Sequence, residues 1–312
     1  MIAVTGANGF VGRALVKALV GQGQAVRPVV RLAESGAMAV GDIGPDTDWV
    51  AALSGVKCVL HTAARVHVME EKVADPLRAF REVNVVGTRR LAEQAADAGV
   101  RRLVYISSVK VNGERTVLGR PFLVSDSPAP EDAYGLSKWE AEQALWRVAA
   151  QTGLEVVIIR PPLVYGPGCK ANFFNMMQWL SQGMPLPLGA IKNKRSLVAL
   201  DNLVDLIVTC INHPAAANQV FLVSDGEDLS TTELLRRTAT ALGKPVRLLP
   251  VPQRILQMGL KIVGKGDMAQ RLCGSLQVDS SKARTLLGWR PPVSVDEALR
   301  KTARYFQEQQ RR

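Results

Sequence analysis

Tyr134 and Lys138 stand four residues apart in the stretch AYGLSKWEAE, which has the pattern of a helix. That spacing puts the two side chains on one helical face, one turn from each other. A phenol is a poor acid or base near neutrality, because its reference pKa is about 10. A cation beside it stabilises the phenolate and lowers that value. Ser107 and Ser108 end the apolar run RRLVYISS, which reads as a strand. Ligands of open α/β sheets bind beyond the carboxyl ends of the strands. Strand-end serines and the Tyr134 helix are therefore expected to face one another over a nicotinamide ring.

Something must hold that ring. VTGANGFVG supplies Gly6, Gly9 and Gly12 after an apolar run and before a helical one. Glycines there allow a tight turn and close approach of backbone to a pyrophosphate, which the helix N-terminus then favours. At the end of the second strand, where NAD sites usually carry an acid, stands Arg31, with Arg27 nearby. A guanidinium pairs with a 2′-phosphate, so NADP(H) is the expected cofactor and NAD(H) the alternative; an exposed strand-end arginine is the plain reading. Asp42 and Ile43 follow as a carboxylate and an aliphatic residue suited to an adenine ring, or as an ordinary turn.

Five apolar or β-branched runs, MIAVTG, QAVRPVVR, VKCVLHTAA, RRLVYISSV and LEVVIIRPP, alternate with helical patterns. This predicts an α/β fold, a doubly wound parallel sheet of Rossmann type over residues 1–167. Residues 168–312 read as a smaller, mostly helical substrate lobe, with 195–225 expected to return to the sheet. The 312 residues are 47% hydrophobic and 21% charged, an ordinary globular balance. The net charge of +11 is dispersed, with no run of five basic residues and no nucleic-acid signature. No basic and apolar leader and no span-length apolar stretch is visible, so a cytoplasmic protein is expected. Cys58, Cys169, Cys210 and Cys273 are far apart and read as reduced packing thiols, with no metal site. His61 reads as a packed residue near the cofactor.

At these residues the chain resembles the extended short-chain dehydrogenase/reductase family. The resemblance rests on TGANGFVG, GDI, HTAA, NVVGT, the paired serines, YGLSK and RPPLVYGPG in the family's order, and on DSSKARTLLGWRPPVSVDEAL near the end. It implies that Ser108 hydrogen-bonds the reacting oxygen and that Tyr134 exchanges its proton. Lys138 would hold the nicotinamide ribose and lower the Tyr134 pKa. Gly6, Asn8, Gly9, Phe10, Val11, Gly12, Ala63, Ala64, Asn84, Ser107 and Pro161 would line the dinucleotide. Extended members commonly bind nucleotide-sugars. That points to Asn172 at the diphosphate or sugar, to Arg195 and Arg271 as a diphosphate clamp, and to Phe173 and Met176 beside the sugar. Family members often dimerise through two long helices, here about 76–98 and 135–151.

SSVKVNGE departs from the epimerases of this family and resembles bacterial 4-reductases that convert UDP-4-keto-6-deoxy-N-acetylglucosamine to UDP-N-acetylquinovosamine for surface polysaccharide. Lys110 would approach the substrate, or is a strand-end lysine in solvent. The sequence thus favours an NAD(P)H-dependent 4-reductase. A UDP-sugar 4-epimerase that retains NAD is the alternative, and a non-catalytic NADP-sensing protein ranks lower.

Overall fold

The computed structural model describes residues 1–66, 75–169 and 171–311, apart from the side chains of Ala171, Asn172 and Asp267. Its first half alternates as the patterns predict: β1 (Ile2–Thr5), α1 (Phe10–Gly21), β2 (Val26–Val30), β3 (Met38–Ala39), α2 (Val50–Leu53), β4 (Cys58–His61), α3 (Pro76–Phe80), α4 (Thr88–Asp97), β5 (Arg102–Ile106), α5 (Ala133–Thr152) and β6 (Glu155–Arg160). Then follow β7 (Leu163–Tyr165), α6 (Ala171–Ser181), β8 (Arg195–Ala199), α7 (Leu200–Asn212), β9 (Gln219–Leu222), β10 (Asp228–Leu229), α8 (Thr231–Ala241), α9 (Gln253–Ile262), α10 (Gly266–Cys273), α11 (Ser281–Leu287) and α12 (Val295–Gln310).

The main sheet has seven strands in the order β3-β2-β1-β4-β5-β6-β9, and every pair is parallel. Both faces are covered, which is why β4 and β6 can be apolar runs rather than alternating ones. One apolar cluster joins α1 and α7 to one face; another joins Trp49, Leu91 and Leu145 to the other. The chain winds outward from β1 through β2 to β3, then crosses back to β4. The crevice where that order reverses, between the ends of β1 and β4, is the ligand position of such sheets.

The segment 195–225 divides. β9 joins the main sheet beside β6, whereas β8 pairs with β7 and β10 in a separate three-stranded sheet. β7, expected in the dinucleotide lobe, belongs to that second sheet. Its layer carries a core of its own, made by Tyr165, Phe173, Leu197, Leu235 and Phe306. Between α3 and α4 the helix widens into a π segment, Arg81–Gly87. Such widenings often mark functional positions. Here a Cβ on Gly87 would lie 2.3 Å from Ile43 Cγ2, so the glycine of NVVGT admits the isoleucine of GDI.

Candidate active site

A carboxylate, a hydroxyl and a side-chain amide fix the Tyr134 end of α5. Asp132 caps the helix and accepts from the Gly135 amide at 2.6 Å. Ser137 donates to the Tyr134 carbonyl at 2.8 Å and accepts from Asn84 Nδ2 at 3.0 Å. Asn84 also receives the Arg65 amide at 2.8 Å and donates to the Arg65 carbonyl at 3.0 Å. The buried Asn84 side chain therefore pins the loop carrying Ala63 and Ala64 to the helix carrying Tyr134. The phenol ring packs edge-on against Phe80, with centroids 5.9 Å apart.

The Ser108 turn lies against the same helix start: a Cβ on Gly135 would be 2.9 Å from the Lys110 carbonyl. Ser108 Oγ accepts from the Lys110 amide at 3.2 Å, which leaves its proton available to an oxygen in the cleft. Ser107 turns the other way and donates to Glu142 at 2.5 Å. Glu142 is paired with Arg160 at 2.6 Å, and Arg160 donates to Asn112 at 3.0 Å. The Ser107 hydroxyl is thus tied into a buried network behind the strand ends. Pro161 meets the same turn through its carbonyl, which accepts from Val109.

Lys138 is fully buried and donates to the Ile106 carbonyl at 2.6 Å, 4.0 Å above the Tyr105 ring. Burial lowers its pKa to about 7, with the Glu142 charge acting in the opposite direction. The Tyr134 phenol is pushed up to about 12 by burial and by the Asp132 carboxylate. The expected lowering of the phenol is therefore absent here, and the ammonium is held by a strand-end carbonyl. Lys110 differs again. Burial opposes its charge, but hydrogen bonds to Asp132 and to Glu114, the latter at 2.7 Å, outweigh it and raise its pKa. Lys110 thereby ties the Ser108 turn to the α5 cap.

The glycine turn fits a dinucleotide pyrophosphate. Gly6 has φ +65°, and a Cβ on Gly12 would stand 2.1 Å from the Gly6 oxygen. Backbone therefore packs on backbone, with Ala63 adjoining Gly6. Gly9 caps α1 without a side chain, and the first turn, which carries Phe10, Val11 and Gly12, has no acid. Its amides are open to an anion.

At the expected ribose end the structure lends no support to the NADP(H) expectation. Arg31 is 66% exposed and lies 3.6 Å from Asp42, itself 91% exposed. Asn8 donates to Glu34 at 3.2 Å, so a carboxylate from the loop after β2 reaches the glycine turn. A carboxylate there suits ribose hydroxyls and opposes a 2′-phosphate. Asp42 faces Arg31, while Ile43 packs under Gly87.

Across the cleft, Arg195 donates to the carbonyls of Arg271 and Gly274, both at 3.2 Å, and burial lowers its pKa. The two arginines are thus neighbours, with Arg271 exposed. Phe173 stacks on Tyr165 at 5.4 Å within the second core, and Met176 packs against that core. The Asn172 side chain lies outside the described residues. His61 is buried between Thr5, at 2.7 Å, and Thr88, at 2.9 Å, and burial lowers its pKa to about 3. All four cysteines are free and buried. No helix among the described residues is long and apolar enough to cross a membrane.

Residues 2–224 match the NAD dependent epimerase/dehydratase family. The chain is 52% identical over 311 residues to a UDP-glucose 4-epimerase of Vibrio cholerae, covering 98% of this chain and 95% of that one. Its fold is shared with a UDP-glucose 4-epimerase of Thermotoga maritima solved with UDP-glucose, at 23% identity, a TM-score of 0.79 and 99% coverage of both chains. A UDP-glucuronic acid 4-epimerase of Bacillus cereus solved with NAD shares it too, at 20% identity, a TM-score of 0.78 and 99% coverage of both.

Proposed function

The chain belongs to the NAD dependent epimerase/dehydratase family, and from that premise we propose that it is an NAD-retaining UDP-sugar 4-epimerase. The observation that carries this reading is the 52% identity to a UDP-glucose 4-epimerase, which runs through both lobes. Glu34 beside the glycine turn supports NAD over NADP. The 4-reductase reading drew on the Ser108, Tyr134 and Lys138 set, Arg31, Arg195 and the SSVKVNGE stretch; the set and Arg195 suit a 4-epimerase equally, and Arg31 and Lys110 stand beside carboxylates.

The Gly6–Gly12 turn would hold a dinucleotide, whose nicotinamide would supply reversible hydride exchange at C4 of the sugar. The chain's own residues do the rest. Tyr134 takes the C4 hydroxyl proton and gives it back, while Ser108 donates to the same oxygen. General acid–base exchange of this kind contributes roughly 10²–10⁴ in rate. Lys138, now held by the Ile106 carbonyl, would be the residue to bind the nicotinamide ribose and bring a positive charge toward the phenol. Arg195 and Arg271 hold the diphosphate, which leaves the sugar free to present either face. Assembly as a homodimer through helices near 76–98 and 135–151 belongs to the same proposal.

The test is incubation of purified protein with UDP-glucose, and separately UDP-N-acetylglucosamine, without reduced cofactor, followed by proton NMR. Approach to a mixture of gluco and galacto epimers, with NAD released on denaturation, is expected. Failure on both sugars, with NADPH or NADH oxidised by a 4-keto UDP-sugar, replaces this reading with the reductase.

A further inference from the structure

The α9 helix is amphipathic, but only its inner side is covered. Leu256 packs against the core of the second lobe. The outer side carries Ile255, Met258 and Ile262, which are 56%, 60% and 78% exposed. At 100° per residue these three fall within one narrow arc, and Val263 extends the apolar surface at 63% exposure. Isolated exposed apolar residues are ordinary, whereas a contiguous apolar stripe on one helix marks an interaction surface.

Charge identifies the partner. Between residues 244 and 265 the chain has Lys244, Arg247, Arg254, Lys261 and Lys265 and no Asp or Glu. All five are exposed, and among the described residues none forms an ion pair. Arg254 and Lys261 share the helix with the stripe, on its flank. A second copy of this chain would bring the same positive charges against themselves, which disfavours self-association through this face. A surface offering negative charge above an apolar layer satisfies both features at once.

We propose that α9 is a peripheral docking helix for an anionic phospholipid surface, its apolar stripe entering the headgroup boundary and its basic flank facing the lipid charge. The helix is coupled to the cleft. Gln253 at its start donates to the Cys273 carbonyl at 3.2 Å, at the end of α10, the helix that carries Arg271. Docking would therefore hold the substrate lobe against the membrane without a spanning segment.

The test is co-sedimentation of the full chain with phosphatidylcholine vesicles, with and without phosphatidylglycerol. Binding is expected only with phosphatidylglycerol, and it should weaken as salt rises. The Arg254→Gln, Lys261→Gln, Lys265→Gln triple variant should bind on the order of a hundredfold more weakly. The Ile255→Ser, Met258→Ser, Ile262→Ser variant should lose binding, and circular-dichroism melting should show both variants folded. Three results would overturn the proposal: no binding to anionic vesicles, binding that neither variant reduces, or a solution dimer that the apolar variant splits.

Discussion

The glycine turn and the outer helix of the substrate lobe are built by opposite rules. Around the turn, a Cβ on Gly12 would sit 2.1 Å from a backbone oxygen. On α9, a Cβ on Gly259 meets nothing within 4 Å, and no residue of the helix is buried. In the first region the fold leaves one residue type that fits. In the second the fold leaves the choice open, and what lies outside the molecule can decide it. Ion pairs divide the same way. Glu142–Arg160 lies behind the ends of β5 and β6 with side chains 1% and 6% exposed, whereas Glu227–Arg237 in the second lobe is 45% and 32% exposed.

The largest effect should come from that pairing. Glu142→Gln leaves the Arg160 charge buried without its partner and should cost about 3–5 kcal/mol. Arg237→Gln should change stability by less than about 1 kcal/mol. Urea unfolding of both variants checks the contrast, and equal costs would erase it. Next comes Gly12→Ala, whose methyl must displace backbone; about 3 kcal/mol of stability should go, and calorimetric titration should show NAD binding lost.

His61 gives a smaller, pH-dependent effect. Its pKa is near 3 in the folded protein against an ordinary 6.5, so between those values the unfolded chain binds the extra proton. Stability from this residue is complete above pH 6.5 and falls as pH drops toward 3. From pH 6.5 to 5 the loss should approach about 2 kcal/mol. His61→Asn should flatten the urea midpoint over that interval; an unchanged slope would mean that another group is responsible. The smallest effect has the opposite sign. Gly259→Ala should stabilise the protein by about 0.5–1 kcal/mol, because helix propensity improves and nothing clashes. A destabilised Gly259→Ala would show that the open face of α9 is more constrained than its surroundings indicate.

The sheet and the glycine turn were legible, and Ser108, Tyr134 and Lys138 could be named as candidates, because each depends on local order: period, spacing, and glycine where backbone approaches backbone. What escaped depends on partners distant in the chain. Lys110 read as free although one partner, Glu114, stands four residues on in the same stretch; its other partner, Asp132, is 22 residues away. Arg31 pointed to NADP(H) because an acid was sought at the strand end, and Glu34 reaches the turn from the following loop. β8 was assigned to the main sheet because a strand's own residues do not name its neighbour. Ser137 was in view within YGLSK, yet its link from Asn84 to the Tyr134 carbonyl spans 53 residues on one side. Glu142 and Arg160 carried no motif at all; only the burial of two opposite charges reveals them.

The most direct test compares turnover of saturating UDP-glucose by wild-type and Tyr134→Phe protein, each with NAD bound. Wild type should equilibrate the C4 epimers, and Tyr134→Phe should do so about 10²–10⁴ times more slowly with substrate affinity unchanged. Equal turnover by the two proteins would contradict a proton-exchanging role for that phenol.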